Sequence, residues 1–206
     1  MMKKLLHVGC GTFTKENTIP YFFSDAWQEI RFDIDPNVKP DIVGSLTDMS
    51  ALESESVDAI YSSHNIEHVF EHEVAQVLSE FLRVLKKDGF LVLTCPDLQS
   101  LCEFIGEKGL YEIAYESPSG PILAHDILYG YGHAIKNGNY FMAHKCGLDT
   151  KSIHQKLSVA GYADFATIVS KPNFALWVVA RKGLSAETSI DVFGRSVLSG
   201  LSYFGT

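Results

Sequence analysis

Two glycines and an aspartate lie at positions where an α/β sheet would contact a nucleotide-like ligand. Gly9 and Gly11 end the first apolar segment, and Asp33 ends a later one, 22 residues after Gly11. Glycines let the backbone turn tightly and approach a ligand closely, and an acid at the second place accepts hydrogen bonds from ribose hydroxyls. Thr14 stands where a dinucleotide G-x-G-x-x-G fingerprint needs a third glycine, which disfavours NAD. Each feature taken alone is also typical of an ordinary turn.

Three histidines, His64, His68 and His72, recur every four residues and would share one face of a continuous helix. Residues 64–68 also fit H-x-x-E-H, a motif in which two histidines bind zinc and the glutamate acts as a base. That motif needs a long helix. Because His64 directly follows a predicted strand, we expect the helix to begin near Ile66 and His64 to lie outside it. The pattern therefore predicts no metal site and a solvated His72, with a zinc hydrolase as an alternative.

A segment rich in glycine, tyrosine and histidine lies between the fifth predicted strand and the last clear helix. Tyr129, His133 and His144 are candidate substrate-binding residues there, because functional residues concentrate on loops. The alternative is structural: His144 could fix the loop by bonding a carbonyl, and the tyrosines could pack as amphipathic surface. If the chemistry needs a general base, His64 and His144 are the best candidates, since histidine titrates near neutral pH.

These residues need strands that end at one edge of a sheet. Apolar segments over residues 4–8, 29–33, 41–44, 57–62 and 90–95 predict strands, and an amphipathic stripe within residues 71–87 predicts a helix. We expect Lys86 and Lys87 in the last turn of that helix and Gly89 just after it. Asp149 and Gly161 predict the caps of a second helix, followed by strands over residues 165–170 and 174–181. Strands alternating with helices predict a parallel α/β sheet, which binds ligands beyond the carboxyl ends of its strands.

Composition narrows the possible partners. The chain has 206 residues, 17 Lys and Arg against 25 Asp and Glu, and a net charge of −8. This acidic balance argues against non-specific binding to nucleic acid or to anionic membranes. The apolar runs are too short to span a bilayer, and no apolar signal core follows the N-terminal lysines. The four cysteines form no C-x-x-C pair. We therefore expect a cytoplasmic protein. The Ser- and Gly-rich residues 183–206 could be loosely ordered, or could dock on the body through their apolar side chains.

Five segments in the same order resemble the motifs of class I S-adenosylmethionine-dependent methyltransferases, and in particular the small bacterial type 11-like group. They are residues 5–11 (LLHVGCG), 31–36 (RFDIDP), 41–48 (DIVGSLTD), 57–68 (VDAIYSSHNIEH) and 81–93 (FLRVLKKDGFLVL). The resemblance covers residues 4–182 and implies a doubly wound, mostly parallel, Rossmann-like sheet of seven strands with the last strand antiparallel. We expect one domain over residues 1–182 with a lid-like insertion over residues 98–147, and a tail over residues 183–206.

By this resemblance, S-adenosylmethionine is the expected methyl donor, and each part of it has its own set of residues. The implied cofactor-binding residues are His7, Gly9, Cys10 and Gly11 for the methionine part, Asp33 and Ile34 for ribose and adenine, Ser45 and Leu46 for the adenine edge, and Ser63 and His64 beside the sulfonium.

Two positions depart from the family pattern. His7 replaces the usual acid before the glycine loop, and Phe13 replaces the third glycine. These departures motivate a second hypothesis, a cofactor-binding regulator or partner protein without catalysis. For an enzyme, the net charge and the short chain favour a small-molecule acceptor, while sugars, lipid precursors, proteins and RNA stay open.

Overall fold

The computed structural model of the protein describes residues 2–117, 120–184 and 188–201. Seven strands form the central sheet: β1 (Lys3–Val8), β2 (Trp27–Asp33), β3 (Ile42–Val43), β4 (Val57–Ser63), β5 (Leu85–Pro96), β8 (Asp164–Ser170) and β9 (Ala175–Arg181), while β6 (Ile113–Ser117) and β7 (Gly120–Leu123) pair separately. The order in the sheet is β3-β2-β1-β4-β5-β9-β8. The first five strands pair in parallel, and β9 is antiparallel to both of its neighbours. The predicted fold class is confirmed.

Both faces of the sheet are covered, which explains why its central strands are almost wholly apolar. Successive side chains of a strand point to opposite faces. Leu6 and Val8 accordingly belong to one buried cluster with α1 and α5, whereas Leu5 belongs to a second cluster on the other face. The helices are α1 (Val74–Val84), α2 (Leu98–Glu107), α3 (Ala124–Tyr129), α4 (Gly132–Lys136), α5 (Thr150–Ala160) and α6 (Ile190–Val197).

The predicted end of the first helix is wrong by one turn. The apolar stripe is buried as expected, but α1 ends at Val84 and Leu85 is already extended. Lys86, Lys87 and Gly89 therefore lie in β5 and do not cap the helix. The reason is tertiary: Leu85 pairs with Val57 of the neighbouring strand, and the Lys86 ammonium lies 2.8 Å from the Asp58 carboxylate.

The second predicted helix has the caps expected from its sequence. The Asp149 carboxylate accepts the Ser152 N–H, and Gly161 ends α5 in the left-handed conformation with φ of 96°. Between β5 and α5, the described residues of the 98–147 segment form α2, the β6–β7 pair, α3 and α4. Short 3₁₀ turns complete the described chain at Lys15–Asn17, Pro20–Phe22, Pro36–Val38, Ile66–His68, Glu71–Glu73, Tyr140–Met142 and Lys171–Asn173.

The described part of the C-terminal segment packs on the sheet. Ile190, Val197 and Leu198 are buried, and they join the cluster that includes Trp177 and Val179 of β9. Most apolar residues of this described part thus dock on the body, whereas Val192 is exposed. The predicted segment also includes residues 185–187 and 202–206, which lie outside the described residues. Among the residues that the structure describes, no helix is long and apolar enough to cross a membrane.

Candidate active site

The carboxyl ends of β1, β2 and β4 surround a cavity of about 600 Å³. A parallel sheet places its ligands at this edge, because the strand ends and the following loops converge there. We name it the cofactor cavity. All ten residues expected to contact the cofactor line it: His7, Gly9, Cys10, Gly11, Asp33, Ile34, Ser45, Leu46, Ser63 and His64.

The first glycine of the loop has no room for a side chain. Gly9 adopts φ of 60°, and a Cβ atom built on it would overlap the side-chain amide of Asn65. The Asn65 amide is itself held in place, since its nitrogen donates to the carbonyls of Val8 and Ser63, both at 2.9 Å. Glycine is therefore required at position 9 for both its backbone conformation and its size. Asn65 lies within the motif-like segment of residues 57–68, but the sequence of that segment did not indicate that the Asn65 amide packs against Gly9.

Asp33 anchors the loop that it faces. One carboxylate oxygen accepts the Gly11 N–H at 2.8 Å, and the other accepts the Asp35 N–H at 2.9 Å. Asp33 is only 9% exposed. Each carboxylate oxygen can accept a second hydrogen bond, so the side chain keeps acceptor capacity toward the cavity.

Arg31 is a site residue that sequence reasoning missed. Its guanidinium donates to the carbonyl of Gly11 at 2.5 Å, to that of Phe13 at 3.0 Å and to that of Lys39 at 3.0 Å. The arginine thus clamps the glycine loop from the neighbouring strand. Its place two residues before Asp33, on the same side of β2, was the available signal.

His7 lies where the family usually has an acid. It is buried, and its Nδ1 lies 2.7 Å from Oε1 of Glu29 on β2. Burial lowers the pKa of His7, and the hydrogen bond and charge of Glu29 oppose that shift only in part. A neutral His7 donates from Nδ1 to Glu29 and keeps an acceptor lone pair on Nε2. The position therefore offers a hydrogen-bond acceptor to the cavity, although it lacks a carboxylate of its own.

His64 follows β4 in a left-handed conformation with φ of 53°. Its backbone N–H donates to the Thr94 carbonyl at 2.8 Å, and its Nδ1 lies 3.1 Å from Oε1 of the buried Glu67. The His64 side chain is about half exposed. Desolvation by the surrounding residues opposes protonation of His64, but the hydrogen bond to Glu67 and its negative charge prevail and raise the pKa of the imidazole. Burial also opposes ionisation of Glu67, yet the hydrogen bond to His64 and the three nearby histidines lower its pKa.

The local backbone rules out the H-x-x-E-H helix and with it the zinc-hydrolase hypothesis. Residues Ile66–His68 form one 3₁₀ turn, and Val69 is extended. His64 and His68 therefore do not share a helix face, and His72 is solvent-exposed in the next turn, as expected.

A second cavity, of about 210 Å³, adjoins the first one beneath residues 98–147, and we name it the inner cavity. Tyr129 and His144 line it, as expected for substrate residues, and Lys145 lines both cavities. His133 lines neither cavity: it is exposed on α4, where its Nε2 lies 3.1 Å from the Asn137 amide. The structure thus brings together two of the three candidate substrate residues.

His144 has both a structural contact and a free ring nitrogen. Its ring Nδ1 lies 2.9 Å from the Ile127 carbonyl, and its backbone N–H donates to the Tyr129 carbonyl at 3.1 Å. The structural alternative raised for this residue is therefore present in the fold. Burial lowers the pKa of His144, against the opposing charge of Glu67. The ring is therefore neutral near pH 7, and its Nε2 keeps a lone pair.

The cysteines beside the inner cavity are not activated as nucleophiles. Burial raises the pKa of Cys146 to about 11 and that of Cys95 well above its ordinary value, with the charge of Glu67 adding to both shifts. A thiol in such surroundings stays protonated at neutral pH. Covalent catalysis by cysteine is therefore not supported at this site.

A family model for the methyltransferase domain matches residues 6–93 of the chain. No curated protein matches the sequence significantly. Similar solved structures include a possible exported protein from Bordetella parapertussis, with 15% identity and a TM-score of 0.59, where the match covers 88% of this chain and 62% of that one. The chain thus spans less than two thirds of the length of the Bordetella protein.

Two further similar structures are methyltransferases. One is an S-adenosylmethionine-dependent methyltransferase, possibly a histamine N-methyltransferase, from Thermotoga maritima, with 16% identity, a TM-score of 0.52 and coverage of 88% of this chain and 83% of that one. The other is an S-adenosylmethionine-dependent methyltransferase from Archaeoglobus fulgidus, with 14% identity, a TM-score of 0.55 and coverage of 87% and 86%. At these identities the structures establish the fold.

The matched segment contains the glycine loop, Asp33 and the end of β4, which are the parts that line the cofactor cavity. The methyl donor of this domain family is S-adenosylmethionine. Residues 6–93 therefore match the methyltransferase domain family that the motifs predicted, on a fold shared with S-adenosylmethionine-dependent methyltransferases.

Proposed function

We propose that this protein transfers the methyl group of S-adenosylmethionine to a small-molecule acceptor held in the inner cavity. The observation that carries the proposal is the convergence of residues from three strand ends on one cavity, next to a smaller cavity lined mainly by described residues of the 98–147 segment. The cofactor supplies an already activated methyl group on its sulfonium. The protein then has to orient the acceptor in line and exclude water, and positioning of this kind can supply most of the rate.

The residues present fit this cofactor. Gly11 lines the cavity and has open space where a side chain would lie, so a ligand can approach the backbone of the loop closely. Asp33 has acceptor capacity for the two ribose hydroxyls, and Ile34, which is 45% exposed, offers an apolar surface to the adenine. The free Nε2 of His7 would accept a hydrogen bond from the amino group of the methionine part. His7 would thus serve where the family has an acid, with Glu29 supplying the negative charge behind it.

The acceptor proton has a candidate destination at the junction of the two cavities. His64 lines the cofactor cavity and is hydrogen-bonded to Glu67, which would stabilise the imidazolium after proton uptake. A hydroxyl acceptor needs such a base, whereas an amine acceptor can lose its proton later to water. Tyr129 and Lys145 are the side chains available to orient the acceptor. We expect the protein in a reducing cytoplasmic compartment, which suits its four free cysteines.

The proposal is tested in two steps. Calorimetry with S-adenosylhomocysteine first measures cofactor binding, and methyl-labelled S-adenosylmethionine is then incubated with a cell extract split by ultrafiltration into small molecules and macromolecules. We expect label in a small-molecule product with the wild type and far less with Asp33→Ala. Binding without transfer to any fraction would support the regulator hypothesis. Label in protein or RNA would overturn the small-molecule acceptor.

A further inference from the structure

Behind the junction of the two cavities, Glu67, His68 and His144 bring one potential ligand atom each to within 4.8 Å of one another. They form the one such group of three among the described residues. Glu67 and His144 line the inner cavity, and His68 lines the cofactor cavity. We name these three side chains the Glu67 cluster.

The hydrogen bonds of both imidazoles determine their tautomers. His68 Nδ1 lies 3.1 Å from the Ala143 carbonyl, and His144 Nδ1 lies 2.9 Å from the Ile127 carbonyl. A carbonyl oxygen only accepts, so both Nδ1 atoms carry the proton and donate. In a neutral ring, Nε2 then holds a lone pair. Backbone carbonyls orient metal-binding histidines in the same way, by fixing the tautomer and the ring from outside the metal site.

The carboxylate supplies the third lone pair. Glu67 is 2% exposed, and its Oε1 is engaged by His64 at 3.1 Å. Its Oε2 is buried and has no hydrogen-bond partner among the described residues. A buried carboxylate oxygen without a partner is costly. The three side chains therefore carry two imidazole lone pairs and one unpartnered anionic oxygen, and one ligand atom of each lies within 4.8 Å of those of the other two.

We propose that the Glu67 cluster binds a first-row divalent metal ion, with Zn²⁺ as the best-suited probe. Two imidazole nitrogens and one carboxylate oxygen form a ligand set that suits Zn²⁺ and its neighbours better than Mg²⁺ or Ca²⁺, which prefer oxygen ligands. Three protein ligands leave at least one position open, as catalytic zinc sites do. This assignment departs from the expectation of no metal, and its ligands are not those of H-x-x-E-H.

The position of the ion assigns it a role in the reaction, which rests on the proposed function. An open coordination position facing the inner cavity would bind an oxygen atom of the acceptor and lower the pKa of a hydroxyl there. In that case His144 acts as a ligand, and His64 remains the candidate base. The inner cavity would then select acceptors that offer an oxygen donor.

The test uses the full chain, stripped with a chelator and then titrated with Zn²⁺ alone by calorimetry and metal analysis. We expect one Zn²⁺ per chain, with affinity lowered about 100-fold or more in His68→Ala and in His144→Ala. His72→Ala is the matched control, because His72 is exposed and lies one 3₁₀ turn beyond the cluster, and its affinity should equal that of the wild type. His64→Ala should keep the one-to-one stoichiometry, whereas an H-x-x-E-H site would lose it.

Two further measurements keep the result decisive if an alanine variant unfolds. Glu67→Gln keeps the shape of the side chain but removes the charge, and it should weaken Zn²⁺ binding by a similar factor. Co²⁺ added to the wild type should show the visible absorption of a site with nitrogen and oxygen ligands, displaced by one equivalent of Zn²⁺. Absence of one-to-one binding in the wild type, or equal affinity in the wild type, Glu67→Gln and His72→Ala, would overturn the proposal. Binding of S-adenosylhomocysteine to the same samples is independent of that outcome, so failure of the cofactor assignment would be seen separately.

Discussion

Replacement of Asp33 by alanine separates ligand binding from loop architecture at the centre of the cofactor cavity. In the free protein, the carboxylate accepts the N–H groups of Gly11 and Asp35 at 2.8 and 2.9 Å. In the complex that we propose, the same oxygens also accept the ribose hydroxyls. The alanine variant loses both sets of contacts. Loss of the ribose contacts raises the Kd of the cofactor, whereas loss of the backbone contacts lowers the free energy of unfolding.

Loss of the proposed contact between Asp33 and the ribose should raise the Kd of the cofactor by a measurable factor. A hydrogen bond to a charged group contributes about 1.5–3 kcal/mol, which corresponds to about a 10- to 150-fold increase in Kd. The loss of two backbone contacts instead lowers the free energy of unfolding. For a chain of this size, each 1 kcal/mol of that loss lowers Tm by about 2–4 °C.

The assay is calorimetric titration of S-adenosylhomocysteine into Asp33→Ala at a temperature well below its measured Tm. Asp41→Ala is the matched control: its carboxylate also accepts a backbone N–H at 2.8 Å, from Arg31, but it is exposed and does not line the cavity. We expect weakened binding only in Asp33→Ala. A Kd within threefold of the wild type, together with a lowered Tm, would refute the ribose assignment and leave Asp33 a purely structural role.

Three further predictions concern the same cavity. Gly9→Ala should lower Tm by several degrees, because a non-glycine residue at this φ costs about 1–3 kcal/mol and its Cβ would overlap Asn65; an unchanged melting curve would contradict the packing described. Arg31→Ala should weaken S-adenosylhomocysteine binding about tenfold, with little rescue in Arg31→Lys, since one ammonium cannot hold the carbonyls of both Gly11 and Phe13; calorimetry of both variants decides, and full rescue by lysine would count against the clamp. In the folded state, the pKa of His7 is below its ordinary value of 6.5. As the pH decreases, the unfolded chain therefore binds a proton at His7 before the folded chain does. The free energy of unfolding then falls as the pH decreases through 6.5 toward the folded pKa. His7→Gln should therefore lose less Tm than the wild type between about pH 7.5 and about pH 5.5, and equal losses would show that burial does not keep His7 neutral.

The parts of the fold and site that the sequence predicted depend on short-range patterns. Gly9, Gly11 and Asp33 could be identified because a strand and the turn after it are close in sequence, and the topology of a parallel sheet brings such ends together. The caps of α5 at Asp149 and Gly161 are also local, and both are as predicted. The antiparallel last strand and the identity of the cofactor came from the family resemblance and not from periodicity.

The missed features depend on contacts between distant segments. The helix predicted beyond Val84 is replaced by strand because Leu85 pairs with Val57, and nothing in residues 85–89 themselves requires this. Arg31 was missed because the pattern of a strand does not tell which backbone carbonyls its side chain will meet. His133 was included because it stands in an aromatic loop, but the fold places it on the outer side of α4.

Residues 64–68 show most clearly how backbone conformation decides chemistry. As a helix, this segment would pair His64 with His68, four residues apart, and would support a hydrolytic zinc site. In the fold, the left-handed conformation of His64 and the 3₁₀ turn Ile66–His68 prevent these two residues from sharing a helix face. The same turn exposes the Glu67 carbonyl to the N–H groups of Lys145 and Cys146, at 2.7 and 3.3 Å, which brings His144 against His68 with ring centres 4.9 Å apart. A backbone contact between two segments far apart in the chain, at Glu67 and at Lys145 and Cys146, therefore places His144 beside His68. A motif of five residues carries no information about that contact, so the sequence could name His64 as an alternative partner of His68 but could not name His144.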